Sequence, residues 1–284
     1  MLAYRHAFHA GNHADVLKHL VLVQVLRYMA EKDKAYTLVD THAGAGGYSI
    51  EGRYAQKKGE YSGGVARLYD AKDLPEPLKP YIELVKEFNP DGQLRQYPGS
   101  PALANLLMRE QDRLRVFELH PTDYRILASY LSTRPNTQVS DKDGFSSLKG
   151  ELPPPSRRAV VLMDPSYELK SDYAKVLATM REGLQKFPDT VFLIWYPQLA
   201  LLESTQLAQR LKASADTLAK KGWLHVRLTV TQPDEKGFGM LGSGMFVVNP
   251  PFTLHDQLKD SLPWLVDKLG QYDGANFVLE QRVA

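Results

Sequence analysis

Cysteine is absent from this chain, which removes disulfides, thiolate nucleophiles and cysteine-ligated metals from consideration. Long apolar runs are missing too. No stretch approaches the roughly 20 residues of a membrane span, and the opening MLAYRHAFHAGN has none of the apolar core of a secretory leader. A soluble, cytoplasmic protein is expected. Charge of one sign is equally scarce: 35 Lys and Arg offset 33 Asp and Glu, for a formal net charge of +2. That total does not announce a nucleic-acid binder, although a local basic face is compatible with it, since patches rather than totals hold phosphate. What the chain does have is core. Its 284 residues are 43% hydrophobic and 10% aromatic, enough for one large domain or one domain with an insertion.

The organising stretch is VVLMDPSYE, residues 160–168. The apolar run Val160 to Met163 reads as a strand buried on both faces, as in a parallel sheet. It stops at Asp164-Pro165-Ser166-Tyr167: a carboxylate, a rigid turn and an aromatic ring, at the strand end where open α/β sheets bind ligands. A plain strand-to-helix turn would look similar, so the rest of the chain has to decide.

Four of the eight histidines fall in the first twenty residues: His6, His9, His13 and His19. The first three share one helical face, a spacing compatible with zinc. Gly11-Asn12 interrupts that helix, however, and Asn12 reads as the N-cap of HADVLKHLVLVQVLRYMAEK. No metal is expected, and residues 1–20, an arm leading into a long helix, are open to two readings between which the sequence does not choose: a lid over a ligand and a packed amino-terminal arm.

In AYTLVDTHAGAGGY, residues 35–48, a strand ends in Asp40 and a turn follows with Gly44, Gly46 and Gly47. The GK[ST] ending of a Walker loop is missing, and Ser49 stands where the dinucleotide fingerprint needs its last small residue. The remaining class is the adenosylmethionine loop of Rossmann-like methyltransferases, with an acidic strand end and an AGxG turn. That cofactor has no pyrophosphate, so no helix need start directly after the glycines. The next strand, around Arg115 to Glu118, comes far later than the roughly thirty residues of a simple βαβ unit allow. Residues 49–98, with five prolines and one clear amphipathic stretch, PYIELVKEF, therefore read as an inserted helical subdomain. Its core-forming partner would be a domain made of 1–48 and 99–284. Eight basic and eight acidic residues balance between 51 and 95, so the insertion carries no obvious clamp for RNA.

Alternation then becomes regular. Ser100-Pro101 caps a helix, LRVFELHP ends in Glu118, NTQVSDKDGF ends in Asp143-Gly144, and TVFLIWYP supplies a fifth strand. Glu118 suits ribose hydroxyls and Asp143 an adenine edge, although each could equally cap a helix. Asp40, Glu118, Asp143 and Asp164 end four successive strands and converge on one edge of a parallel sheet. WLHVRLTV and SGMFVVNPPF, joined without a helix, read as a closing antiparallel hairpin. The expected fold is a Rossmann-like class I methyltransferase: a mostly parallel seven-stranded sheet with an antiparallel last strand, plus the small helical insertion. Asn249-Pro250-Pro251-Phe252 matches the amino-methyltransferase motif [D/N]PP[Y/F] better by letters than DPSY does. An antiparallel last strand would put it at the opposite sheet edge, so it is read as structural.

Taken together, YRHAFHAGNHADVLKH, DTHAGAG, YPGSP, ELHP, DGF, DPSY and the SGM…NPP ending resemble the bacterial adenine-N6 methyltransferases of large-subunit ribosomal RNA, the RlmJ family, over nearly the whole length. The resemblance implies S-adenosylmethionine as cofactor and 23S ribosomal RNA, protein-free, as partner. It implies cofactor contacts from Lys18, His19, His42, Ser100, Glu118, Asp143 and Gly144, beside Gly44 and Gly46 of the glycine turn. It makes Asp164 catalytic and puts Tyr4 near the target base. With it, Pro165 would offer its carbonyl to the amine and Tyr167 would stack on the base. One departure is plain: the family motif is DPPY, and Ser166 stands here. Activity is expected to survive it, because Asp164, Pro165 and Tyr167 are all present. Rival expectations are a nicotinamide-dependent dehydrogenase, which fails the fingerprint, a non-catalytic RNA-binding assembly factor, and a methyltransferase for another planar amine, DNA adenine or protein glutamine.

Overall fold

In the computed structural model of the chain, residues 9–51, 59–234 and 239–284 are described. Tyr4 and His6 lie outside them. Asn12 caps the first helix, α1 (His13–Ala30), its side-chain oxygen accepting from the amides of Ala14 and Asp15, both at 3.0 Å. This ties two of the four amide donors a helix start leaves unpaired. Val16, Leu17, Leu20, Val21, Leu22 and Val23 cover every face of α1 and are all fully buried. A helix apolar all round has to be enclosed, and this one lies between the main sheet and the segment that follows β2.

Among the described residues, ten strands form two sheets. In chain order they are β1 Thr37–Asp40, β2 Gly47–Ser49, β3 Gln96–Pro98, β4 Arg113–Phe117, β5 Thr137–Ser140, β6 Ala159–Met163, β7 Val191–Gln198, β8 Trp223–Thr229, β9 Gly242–Val248 and β10 Asn276–Arg282. The large sheet runs β10-β8-β9-β7-β6-β1-β4-β5. β5, β4, β1, β6 and β7 are mutually parallel, and β9 inserts antiparallel between β7 and β8. β1 and β6 are buried at every position, as a sheet covered on both faces requires. One face packs on α1 and the helix Leu254–Leu269. The other packs on the helices Ser171–Lys186 and Leu202–Leu218.

The large sheet has eight strands where the pattern predicts seven. β10 is the addition, pairing antiparallel with β8 from Asn276 against Thr229 to Arg282 against Trp223. Its residues are exposed or half-exposed throughout, so an edge strand of this kind carries no buried, alternating signature to read. β2 and β3 pair antiparallel with each other and bring together the two ends of residues 49–98. Between them, Val65, Leu68, Tyr81 and Val85 share one core with α1. Among the described residues, no helix is long and apolar enough to cross a membrane.

The chain leaves β1 toward β4 and β5, then returns to add β6 and β7 on the other side. Such a reversal opens a crevice beyond the carboxyl ends of the strands at the switch. Here the switch lies between β1 and β6.

Candidate active site

A cavity of about 340 Å³ occupies that crevice, within the range of small-molecule sites. Among the residues expected from the sequence, Lys18, His19, His42, Gly44, Ser100, Glu118, Asp143, Gly144, Asp164 and Pro165 line it. Each is there for a local reason. Glu118, just past β4, accepts from the Gly44 amide at 2.8 Å and the His120 amide at 2.6 Å, so it anchors the glycine turn to the second strand end. Gly44 has φ +65°, and a Cβ there would fall 2.1 Å from the Tyr48 hydroxyl. Asp143 caps the helix Gly144–Glu151 by accepting from Phe145 N at 3.1 Å; capping and cavity-lining coexist. Gly144 passes so close to β1's end that a Cβ would stand 2.2 Å from the Thr41 carbonyl oxygen.

Gly46 and Ser100 differ from their sequence expectation. Gly46 is not among the lining residues; its φ of +88° turns the chain, and a Cβ would meet Leu127 at 3.0 Å. Ser100 is the first residue of its helix rather than the cap, which is Gly99. Its hydroxyl instead donates to Asp40 Oδ2 at 2.6 Å. Asp40 is fully buried. Burial pushes its pKa up to about 6, with the Ser100 and His42 hydrogen bonds partly offsetting this. Burial also lowers the pKa of His42 to about 4 and keeps the ring neutral, and the ring meets Phe145 edge-on at 4.6 Å.

Lys18 and Asp164 belong to α1 and β6, far apart in sequence. Lys18 Nζ donates to Asp164 Oδ2 at 2.5 Å and to Asp15 Oδ1 at 2.7 Å. Burial works against the charge of Lys18, but the Asp15 and Asp164 carboxylates outweigh it, so its pKa is raised and the ammonium persists. Asp164 is thus held by a buried cation at the boundary of the cavity. A second cavity, about 610 Å³, lies on the other side of this pair, and the two share Lys18, Asp164 and Ser166.

Tyr167 does not present its ring to either cavity. At φ +53° the backbone turns back, and the side chain, 5% exposed, enters the core. It packs on Tyr173 with ring centres 4.6 Å apart and donates to the Trp195 carbonyl at 2.6 Å. The expected stacking surface is therefore a prop beneath the loop. His13 draws notice in the sequence only as a candidate metal ligand and Glu60 and Trp195 belong to no motif; the folded chain brings all three to the second cavity.

Asn249-Pro250-Pro251-Phe252 follows β9, whose Val248 pairs with Phe192 at the start of β7, the sheet edge opposite Asp164. Asn249, with φ +54°, donates to the carbonyls of Pro188 and Thr190 and accepts from Lys221 N, all at 2.8 Å. It is 3% exposed and ties three loop ends together. Among the described residues, no group of three or more His, Cys, Asp or Glu is arranged to hold a metal ion.

A sheet of this order, with an acidic crevice at its switch point and an Asp-Pro turn ending the fourth parallel strand, defines a class I methyltransferase fold. The family described as Ribosomal RNA large subunit methyltransferase D, RlmJ, matches residues 33–280, and the chain belongs to that family. Ribosomal RNA large subunit methyltransferase J of Escherichia coli K12 is 46% identical over 272 residues, covering 95% of this chain and 94% of that protein. The protein of the same name from Haemophilus influenzae Rd is 43% identical, with the same coverage of both chains. Among solved structures, protein LPL1258 of Legionella pneumophila superposes with a TM-score of 0.86 at 31% identity, covering 96% of this chain and 98% of that one.

Proposed function

We propose that this chain transfers a methyl group from S-adenosylmethionine to the N6 amine of an adenosine in 23S ribosomal RNA. The observation that carries the reading is Asp164 at the boundary of two cavities, one for the methyl donor and one for the acceptor. Family membership supports ribosomal RNA as the acceptor class.

The first cavity suits the cofactor by charge. Glu118, Asp123, Asp143, Asp164 and Asp172 line it against Lys18 and Lys175, a wall that favours a cationic ligand over a pyrophosphate. After the glycine turn the chain enters β2 rather than a helix, so the helix amino terminus that nicotinamide dinucleotides use is missing there. This weighs against the dehydrogenase reading. Glu118 would hold the ribose hydroxyls, Asp143 and Gly144 the adenine edge, and His19 and Ser100 the amino-acid end. When bound, S-adenosylmethionine supplies an electrophilic methyl on a sulfonium centre.

The chain's own residues do the rest. Adenine's exocyclic nitrogen is a poor nucleophile because its lone pair is delocalised into the ring. The Asp164 carboxylate and the Pro165 carbonyl accept its two hydrogens, which favours a pyramidal nitrogen with its lone pair facing the first cavity. Lys18, held charged, fixes the carboxylate so that it accepts rather than donates. Positioning and preorganised polarity account for most of the acceleration. Ser166 in place of proline leaves both acceptors in position. We take residues 49–98 as an inserted subdomain that walls the acceptor side, and the cytoplasm, where this RNA is made, as the place of work.

The test is transfer of labelled methyl from S-adenosylmethionine to protein-free 23S ribosomal RNA, followed by nucleoside analysis. Label in N6-methyladenosine is expected; label in another nucleoside, or cofactor binding without transfer, would overturn the reading.

A pH dependence follows from Asp40. A cation in the adjacent cavity favours its ionised form, so binding lowers its pKa and releases a proton. Cofactor affinity should strengthen as pH rises from about 5 to about 7 and then level off, and Asp40→Asn should flatten the profile in calorimetry. In the ligand-free protein the same raised pKa has the opposite consequence for folding: stability is lost as pH rises from about 4 through about 6.

A further inference from the structure

Two residues that line the second cavity carry buried polar atoms that the proposed reaction does not use. Trp195 Nε1 and His13 Nδ1 are both buried and without a hydrogen-bond partner, and both residues line this cavity beside Asp164. The other two indoles differ. Trp223 Nε1 donates to Asp216 at 2.7 Å and Trp264 Nε1 to Asp73 at 3.0 Å. An indole N–H has no other hydrogen-bonding capacity, so leaving Trp195 unpaired costs free energy that a ligand acceptor would recover. His13 is 9% exposed. Burial lowers its pKa to about 4 against the pull of Glu60 and Asp15, so at neutral pH its ring offers one donor and one acceptor and no charge. Pro197, Leu199 and Met240 add apolar surface to the same wall, which suits a flat, neutral ring. Trp195 lies on β7, and the Tyr167 hydroxyl donates to its carbonyl, which couples that strand to the loop that carries Asp164.

We propose that Trp195 and His13 are the specificity residues of the acceptor cavity, reading the ring nitrogens of an adenine while Asp164 takes its amine. The inference rests on the methyltransferase reading above. An adenine turned out of its stack presents ring nitrogens that only accept, next to an amine that only donates. The Trp195 N–H donates to one ring nitrogen and His13 engages a second, with small side-chain rotations as the base seats. Guanine meets the same wall with a carbonyl toward Asp164 and an N–H toward a donor. Cytosine presents the amine beside a single ring acceptor and leaves one protein group unpaired. Sites built to hydrogen-bond a group reject analogues that lack it far better than apolar pockets do.

The experiment uses the full chain saturated with S-adenosylhomocysteine, labelled with nitrogen-15, and follows its three indole N–H signals during titration with adenosine monophosphate. The Trp195 signal, assigned through Trp195→Phe, is expected to move while those of Trp223 and Trp264 stay in place. Guanosine and cytidine monophosphates should move it markedly less. Trp195→Phe should lower methyl transfer to RNA by about tenfold, the worth of one hydrogen bond, with cofactor affinity unchanged. His13→Asn, which retains a donor near the Nδ1 position, should keep more transfer than His13→Leu. A Trp195 signal unmoved by adenosine monophosphate, equal shifts with all three nucleotides, or full transfer by Trp195→Phe would each overturn the proposal. If the wild-type chain transferred no methyl and adenosine monophosphate still moved the Trp195 signal selectively, base reading would stand and the reaction assignment would fall.

Discussion

Alanine at position 164 is expected to reduce methyl transfer by at least about 10²–10³-fold, the scale seen when one preorganised group facing the reacting centre is removed. Folding should be nearly unaffected. The reason is the geometry around Lys18: its ammonium loses the 2.5 Å contact to Asp164 but keeps the 2.7 Å contact to Asp15. No buried charge is then left without a counter-charge, the situation in which removing one partner is most damaging. The carboxylate also faces the cofactor cavity, so S-adenosylmethionine should bind a few-fold more weakly, a small part of the total loss. Asp164→Asn should fall between the two. An amide retains one acceptor oxygen, but its NH2 would face either Lys18 or the acceptor amine, donor against donor. Single-turnover transfer measured beside cofactor calorimetry separates the effects. A loss of binding as large as the loss of transfer would assign Asp164 to the cofactor rather than to the amine.

Alanine at position 249 should do the reverse. Asn249 makes three hydrogen bonds at 2.8 Å from a nearly sealed position. Removing its amide leaves the Pro188 and Thr190 carbonyls and the Lys221 N–H to find other partners. At about 1 kcal/mol for each group left unpaired, the cost is about 3 kcal/mol. The asparagine also supports a left-handed backbone, φ +54°, which alanine tolerates less well. For a domain of this size that corresponds to a fall in Tm of roughly 6–12 °C. Specific activity per folded molecule should stay at the wild-type level, because the turn sits at the sheet edge opposite Asp164. Thermal unfolding and activity below the transition check both parts. Lost activity with an unchanged Tm would mean that the Asn-Pro-Pro-Phe turn, despite its position, serves the reaction.

These paired expectations rest on the proposed assignment of Asp164, which letters alone would not favour. Asn249-Pro250-Pro251-Phe252 fits the amine-methylating pattern better than Asp164-Pro165-Ser166-Tyr167 does. Connectivity separates the two in space, because QPDEKGFGMLG is a connection without a helix signal and β9 runs antiparallel to β7, at whose start its end lies. The strand carrying Asp164 is similarly legible, since a strand buried on both faces leaves a continuous apolar run and the residue ending it must be polar.

Other features had no local signature. β10 is exposed along its length, and pairing with β8 is decided by the backbone ladder, which any sequence can supply. The inward turn of Tyr167 depends on a positive φ and on the room between Tyr173 and Trp195. An aromatic at a strand end gives no sign of which side it faces. The expected cap at Ser100 shows the same limit, since Gly99 holds the cap position and the serine hydroxyl goes to Asp40.

The strand-and-helix alternation, the acidic strand ends and the glycine turn are legible along the chain, because periodicity and turn chemistry act over a few residues and are written locally. It takes the folded chain to lay α1 against β9 and β7, so that Lys18 reaches Asp164 past the end of β6, and to enclose a second cavity against it with His13, Glu60 and Trp195. Lys18 and Asp164 lie 146 positions apart, and none of these pairings is between near neighbours in the chain. They are chosen by which faces bury together, a property of the whole sheet and its coverings that no short stretch of chain contains.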